Sequence, residues 1–299
     1  METGPYERGT RPIEMSNLIE QAFPTCCVVK RATLEEIFSS TKLYVIFVTA
    51  RSGSTWLTEM AAFDGRLGTP QEWFNETWIY TDLELLGCRP PKLADASDIN
   101  DYIFKTITRY RSPSGVAGLK LSFPQAQALF ELLESPNSVK QGVTYFYLRR
   151  RNLIAQAISL YRSASSGFFH AYQTDRMAQA RFTTLPYDAE RIQYWMQDLL
   201  ASECAFEAMF RSCEIKEHRF LYEDMVADPG RILDWIYTTT TGKAEFSGTE
   251  PTLGLVRKIS DDKNQEWELR FRAEQGAIIA DADGNRPPLL SDLYGGFRS

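Results

Sequence analysis

The chain has 299 residues, of which 43% are hydrophobic, so it can bury a sizeable core and is not a candidate for intrinsic disorder. Its 39 acidic and 33 basic residues give a net charge of −6, which argues against a general binder of nucleic acid or of anionic membranes. It has two histidines and five cysteines with no CxxC pair, so a multi-histidine metal site is excluded and the cysteines are expected to be inert thiols.

The N-terminal region is polar and carries little periodic pattern. It lacks the apolar core of a signal peptide, and no run of about 18 apolar residues occurs anywhere in the sequence. We therefore expect a cytoplasmic protein without a membrane span. Residues 1–40 are predicted to form an N-terminal extension with one short helix near residues 34–38.

Residues 41–280 alternate between apolar runs and amphipathic segments. The run 43–48 is almost continuously apolar, as is typical of a strand buried on both faces of a parallel sheet, and 143–148 resembles it. Shorter strands are predicted at 118–121 and 218–222. Helices are predicted from residue 55, over 124–133, from residue 154, over 188–210 and over 230–237, the last with Asp228 as N-cap and Pro229 at its first position.

This alternation predicts one α/β domain, a P-loop-like parallel β-sheet flanked by helices. The sequence from 281 to 299 is rich in glycine, proline and aspartate, so it is predicted to be a loose C-terminal tail.

The first predicted strand is followed by Arg51-Ser52-Gly53-Ser54-Thr55, which leads into a helix. Backbone N–H groups at a helix start attract anions, glycine allows a close approach, and the hydroxyls and the arginine add further donors. The lysine of a Walker A loop is absent, which argues against ATP hydrolysis. Short serine and glycine loops are common, so this loop alone leaves an ordinary turn as an alternative.

A second basic segment, Arg149-Arg150-Arg151, ends the strand predicted at 143–148, and Ser159 lies on the helix that follows. Ligands of open α/β sheets bind at the carboxyl ends of strands. A solvated run of charges is the alternative. Two anion sites at neighbouring strand ends would suit a ligand with two separated phosphate-like groups.

These segments resemble the bacterial carbohydrate sulfotransferase family typified by the mycobacterial trehalose 2-sulfotransferase. The resemblance extends from about residue 43 to 272, in the order of the family's motifs. Residues from about 76 to 112 have no recognisable match in the family, and the long N-terminal extension departs from it. Besides the two basic segments, the matching motifs are Gly68-Thr69-Pro70-Gln71-Glu72-Trp73-Phe74, Gly118-Leu119-Lys120, Tyr222 to Pro229, and Glu266-Trp267.

The resemblance implies that the co-substrate is 3′-phosphoadenosine 5′-phosphosulfate. The Arg51–Thr55 loop would hold its 5′-phosphosulfate, and Ser159 with Arg150, or else Arg151, would hold its 3′-phosphate. Lys120 would neutralise the leaving group or the sulfuryl oxygens. Since arginine and backbone donors can stabilise sulfuryl transfer, no metal is expected.

The resemblance further implies that Glu72 is the base that deprotonates the acceptor, with His170 as the rival. Trp73 and Phe74 are expected to desolvate Glu72 and raise its pKa. The aromatic residues Trp73, Phe74, Trp78 and Tyr80 fit stacking on a sugar and core packing equally well.

The implied acceptor is a hydroxyl of a sugar or glycolipid, and a homodimer is an option because related enzymes form one. Two alternatives remain open at this point. One is a small-molecule kinase, which would bind ATP and need magnesium. The other is a non-catalytic glycan-binding module built on the same fold.

Overall fold

A parallel sheet forms the centre of the molecule. The computed structural model describes residues 21–23, 25–75, 96–139, 142–170, 173–244 and 261–293. The sheet has four strands in the order β2-β1-β3-β4, with β1 spanning Lys42–Val48, β2 Val116–Leu121, β3 Val143–Arg149 and β4 Glu217–Leu221. The α/β class predicted from the sequence is confirmed.

Helices connect these strands. In chain order they are α1 (Arg31–Ser40), α2 (Ser54–Asp64), α3 (Ile99–Tyr110), α4 (Phe123–Glu131), α5 (Leu153–Ser166), α6 (Arg176–Thr184), α7 (Ala189–Ser212), α8 (Tyr222–Ala227), α9 (Pro229–Thr241), α10 (Asp262–Glu274) and α11 (Gly276–Asn285). Asp228 caps α9 by accepting a hydrogen bond from Arg231 N, with Pro229 at the first helical position as predicted. The predicted fourth strand ends one residue early, because Tyr222 already begins α8.

The sheet packs helices on both faces. Alternate residues of β1 enter two separate clusters, since successive side chains of a strand point to opposite faces. Leu43, Val45 and Phe47 pack with α1, α3, α4 and α7. Tyr44, Ile46 and Val48 pack with α2, α8 and α9. This double burial explains why β1 is continuously apolar.

The strand order fixes where a ligand can bind. The chain passes from β1 to β2 on one side, and the next connection returns past β1 to β3 on its other side. Such a reversal opens a crevice at the carboxyl ends of the two diverging strands. Val48 lies opposite Leu148 in the β1–β3 register, so the segments that follow these two residues emerge side by side.

The termini of the described chain are more ordered than expected. Phe23, Val29, Leu34 and Ile37 belong to the core cluster on the α1 face, so the described part of the N-terminal extension is integral to the domain. The prediction of a loose tail from residue 281 is wrong as far as residue 293, since α11 runs to Asn285 and Leu293 is buried.

Hydrogen bonds fix the end of this tail to the sheet. Asp292 N donates to Arg219 O at 2.8 Å, and Ser291 Oγ donates to Asp224 at 2.8 Å. Within the described ranges no helix is both long and apolar enough to cross a membrane.

Candidate active site

The loop between β1 and α2 has a constrained backbone. Arg51 has φ 62° and Gly53 has φ 86°, and a positive φ is uncommon for a residue other than glycine. Such outliers often occur at functional sites. No side chain caps the N-terminus of α2 within the described chain, and the buried Ser52 hydroxyl has no hydrogen-bond partner there. The loop therefore retains polar groups that an anion can use.

The structure brings the two predicted basic segments together. Arg150 Nη1 donates to the carbonyl oxygen of Arg51 at 3.3 Å. The Arg51 side chain turns away from its own loop and donates to Ser159 Oγ at 3.0 Å and to Phe169 O at 2.8 Å. Arg51, Arg150 and Ser159 thus form one continuous polar cluster at the carboxyl ends of β1 and β3.

Two guanidinium groups in this cluster carry charge that no carboxylate neutralises directly. Burial and the neighbouring charge of Arg150 lower the pKa of Arg51 to about 10. Burial also lowers the pKa of Arg150, whose Nε is buried without a hydrogen-bond partner in the described chain. Among the described residues neither arginine makes an ion pair, so the cluster is suited to bind an anionic ligand.

The Tyr222 ring lies against both basic segments, the loop after β1 and Arg150. The Arg150 guanidinium lies 4.8 Å from the centroid of the Tyr222 ring, a cation–π contact. A Cβ added at Gly53 would lie 2.4 Å from Cδ2 of the same ring. Tyr222 belongs to a motif that was recognised only by the family resemblance. Its position between the two basic segments was not predicted.

The three consecutive arginines have three different environments. Arg149 is buried and pairs with Glu203, while its Nη1 donates to Pro288 O at 2.8 Å. Arg151 is exposed, and its backbone N donates to Glu223 at 3.0 Å. Arg150 is the member of the triplet whose side chain reaches the loop after β1.

Glu72 lies beside Lys120, and Lys120 belongs to β2, the strand next to β1. Gln71 O accepts a hydrogen bond from Lys120 N at 3.0 Å, which pairs the backbone at Gln71 with β2. The next residue, Glu72, is thereby placed beside the buried Lys120 side chain. Lys120 Nζ lies 2.9 Å from Glu72 Oε1, and Asn75 Nδ2 donates to Glu72 Oε2 at 2.9 Å. The Lys120 charge is therefore engaged by Glu72 in this structure.

The expected rise in the pKa of Glu72 is wrong. Burial does raise this pKa, but the Lys120 charge and hydrogen bonds from Lys120, Asn75 and Gln125 outweigh it, so the pKa lies below its usual range. Glu72 is consequently ionised at neutral pH.

Trp73 and Phe74 are core residues and not a platform beside Glu72. Trp73 stacks on Tyr110 with ring centroids 4.3 Å apart, and Phe74 packs edge-on against Tyr102. Both are almost fully buried, which excludes them as a surface for stacking on a sugar. Trp78 and Tyr80 lie outside the described residues.

His170 is the second candidate base and belongs to the same electrostatic environment. Burial, followed by the charges of Arg51 and Lys120, lowers its pKa to about 4, against an opposing contribution from Glu72. Its backbone N and that of Phe169 both donate to Gln173 Oε1, at 2.7 and 2.5 Å. His170 is thus neutral at neutral pH and near both Arg51 and Glu72.

The fold and this cluster define an α/β protein with two arginines that lack ion-pair partners in the described chain, at the switch point of its sheet. A family model described as Stf0 sulphotransferase matches residues 43–274, and the chain belongs to that family. It is a sulfotransferase. In the described part of the chain, no group of three or more histidine, cysteine, aspartate or glutamate side chains is arranged to hold a metal ion.

Two similar proteins are the trehalose 2-sulfotransferases of Mycolicibacterium smegmatis and Mycobacterium tuberculosis. They are 24% and 23% identical to the chain, and each alignment covers 77% of this chain and 94% of the relative. A solved sulfotransferase domain from the curacin biosynthetic pathway is 15% identical, with a TM-score of 0.35, over 71% of this chain and 77% of that one.

The contact between Gly53 and Tyr222 predicts that substitutions of the glycines at the two ends of α2 differ in their cost to stability. Gly53 and Gly65 flank this helix and both have positive φ, but nothing lies within 4 Å of a Cβ added at Gly65. Gly65→Ala should cost about 1 kcal/mol of unfolding free energy from backbone strain. Gly53→Ala should cost about 1–3 kcal/mol more, because the Tyr222 ring must move. Urea denaturation measures both, and equal losses would contradict the assigned contact.

Proposed function

We propose that the chain transfers a sulfuryl group from 3′-phosphoadenosine 5′-phosphosulfate to a hydroxyl of a carbohydrate or glycolipid. The observation that carries the proposal is the pair Arg51 and Arg150, two mostly buried arginines joined by a hydrogen bond of 3.3 Å and without an ion-pair partner in the described chain. A nucleotide with phosphate groups at both ends of its ribose supplies the missing negative charge at both segments.

The polar groups divide naturally between the two ends of this donor. The loop of Ser52, Gly53, Ser54 and Thr55 would hold the 5′-phosphosulfate through its backbone N–H groups and hydroxyls, aided by the N-terminus of α2. Arg150 and Ser159 would hold the 3′-phosphate. Arg51 lies between them, since its backbone belongs to the loop and its side chain contacts Ser159.

The reaction is an in-line displacement at sulfur. A bond forms between the acceptor oxygen and sulfur while the bond from sulfur to the phosphate oxygen breaks. The products are the sulfated acceptor and 3′-phosphoadenosine 5′-phosphate, and the acceptor proton passes to a base. As in phosphoryl transfer, the protein contributes mainly positioning and charge stabilisation, for which the loop donors and Arg51 are suited.

Glu72 is the base that we favour, and His170 is the alternative. Both are unprotonated at neutral pH, so both can accept the proton. The Lys120 ammonium lies 2.9 Å from Glu72 and forms an ion pair with it. It would stabilise the Glu72 carboxylate again once the proton has passed to solvent. The lowered pKa of Glu72 makes it a weaker base than the sequence suggested.

The trehalose 2-sulfotransferase relatives support a carbohydrate acceptor. Trehalose itself is one candidate, and a glycolipid or a polysaccharide sugar is another. A cytoplasmic location and a homodimeric assembly stay predictions from the sequence.

Transfer of labelled sulfate tests the proposed function as a whole. We expect 3′-phosphoadenosine 5′-phosphate to raise the melting temperature, ATP with magnesium to have no such effect, and label to pass from the donor to at least one sugar in a glycan screen. Stabilisation by ATP would favour the kinase. Binding of the nucleotide without transfer to any acceptor would favour the non-catalytic module.

Arg150 and its exposed neighbour Arg151 form a matched pair for the 3′-phosphate assignment. Arg150→Ala should weaken binding of 3′-phosphoadenosine 5′-phosphate by about 2 kcal/mol or more, as expected for a hydrogen bond between charged groups. Arg151→Ala should leave this affinity nearly unchanged. Isothermal titration calorimetry measures both, and the reverse order would transfer the role to Arg151.

Substitution of each candidate base separates their roles. Glu72→Gln should lower kcat by about 100-fold or more, while the affinity for 3′-phosphoadenosine 5′-phosphate changes little, because general-base catalysis contributes about that factor. His170→Gln should retain most of the turnover. A large loss of kcat in His170→Gln alone would make His170 the base.

The pH dependence provides a check on either assignment. A base acts in its deprotonated form, so activity is lost as the pH falls through its pKa. Since the pKa of Glu72 lies below its usual range and that of His170 is about 4, the acid limb of kcat/KM should fall below about pH 5. A limb centred near 6.5, the usual pKa of histidine, would contradict both environments.

A further inference from the structure

The segment that follows α11 folds back onto the junction between β3 and α5. There the Arg286 side chain donates from Nη2 to Arg150 O at 2.6 Å and from Nη1 to Arg151 O at 2.8 Å. The two carbonyl groups belong to the backbone segment from which the Arg150 side chain extends. Arg286 thus contacts the backbone of the anion site from a position 136 residues further along the chain.

The connection is reciprocal. Arg149, the first arginine of the triplet, donates to the carbonyl oxygens of Pro288 at 2.8 Å and of Pro287 at 3.0 Å. Each segment therefore holds the backbone of the other through an arginine side chain. Because four carbonyl groups find donors in this way, neither segment can shift without breaking several hydrogen bonds.

Glu203 of α7 joins the two arginines. Arg286 binds it through Nε and Nη2 at 2.8 and 2.7 Å, and Arg149 pairs with it through Nη2. The side chains of Glu203, Arg149 and Arg286 are only 1%, 3% and 6% exposed. A buried carboxylate between two buried guanidinium groups fixes their geometry strongly, because separating any one of them leaves an uncompensated charge.

The same peptide is held on its other side by Glu223. Its carboxylate accepts hydrogen bonds from Arg151 N at 3.0 Å and Asn152 N at 3.4 Å, while Arg286 occupies the carbonyl side. The backbone of 150–152 is therefore fixed through both its donors and its acceptors. The direction in which the Arg150 side chain leaves this backbone follows from these contacts and from the Tyr222 ring beneath it.

We propose that Arg286 is a positioning residue for the donor site: by binding the carbonyl groups of Arg150 and Arg151 and the carboxylate of Glu203, it sets the Arg150 guanidinium where it meets the 3′-phosphate. The inference rests on the proposed function, since it takes Arg150 as a ligand of the donor. It makes the C-terminal segment part of the framework of the site, although Arg286 itself does not touch the substrate.

The test measures the affinity for 3′-phosphoadenosine 5′-phosphate by calorimetry in a double-mutant cycle. Arg286→Ala should weaken binding about tenfold, which corresponds to about 1.4 kcal/mol, and should raise the KM for the donor more than it lowers kcat. In the Arg150→Ala background the same substitution should have almost no further effect on affinity, because Arg286 acts through Arg150. Additive effects on affinity, or no loss in Arg286→Ala, would overturn the proposal.

Arg66→Ala is the matched control. Arg66 also binds two carboxylates, Asp64 and Asp234, each at 2.7 Å, but lies at the opposite end of α2 from Gly53. Its removal should lower the free energy of unfolding and leave the nucleotide affinity unchanged. If Arg66→Ala weakens binding as much as Arg286→Ala does, a general loss of stability explains both and the proposal fails.

A milder variant keeps the test decisive if Arg286→Ala does not fold. Arg286→Lys retains the charge opposite Glu203, but an ammonium cannot reproduce the planar fork that reaches the carboxylate and both carbonyl groups. Its affinity should still fall by about threefold or more. An affinity equal to that of the wild type would contradict the proposal. A wild-type protein that fails to bind the nucleotide would instead refute the proposed function.

Discussion

The candidate site is built around two like charges that lie side by side. The parallel register of β1 and β3 brings Arg51 and Arg150 together. Burial lowers the pKa of both groups, and for Arg51 the neighbouring charge of Arg150 lowers it further. The acidic groups near them are engaged elsewhere. Glu72 pairs with Lys120, Glu203 with Arg149 and Arg286, and Glu223 with backbone N–H groups. Under the proposed function, an anionic substrate would complete the site.

Local patterns predicted most of this arrangement. The apolar runs at 43–48 and 143–148 are buried on both faces of a parallel sheet, so their composition indicated buried strands, and the structure shows that the two strands are neighbours. Once they are placed, the basic segments after them must share an edge of the sheet. Arg51, Arg150 and Ser159 could therefore be grouped without coordinates, and the family resemblance supplied their chemistry.

The sequence was less informative about groups that meet from distant parts of the chain. Glycine, proline and aspartate after residue 280 suggested a loose tail, since that composition disfavours regular structure. It gave no indication that Arg286 would return to β3. One signal was present: Glu203 lies four residues after Leu199 and three before Phe206, on the buried stripe of α7. A charged residue on such a stripe indicates a buried partner, but not which one.

The pKa of Glu72 shows why a local environment is insufficient to predict a base. The neighbours in sequence, Trp73 and Phe74, suggested an apolar pocket that would raise this pKa, but they point into the core, and the neighbours in space are Lys120, Asn75 and Gln125. The direction of the shift is decided by a cation on another strand.

The cations of the site also act on the candidate bases. Arg51 and Lys120 both lower the pKa of His170, and Lys120 lowers that of Glu72, so both candidate bases are unprotonated at neutral pH. Under the proposed function, a donor that brings phosphate and sulfate charge next to Arg51 would oppose this field and raise the proton affinity of His170. A bound nucleotide would therefore strengthen this candidate base. In this arrangement Arg51 would act on both the donor and the base, so a substitution at Arg51 would change donor affinity and the pH dependence together.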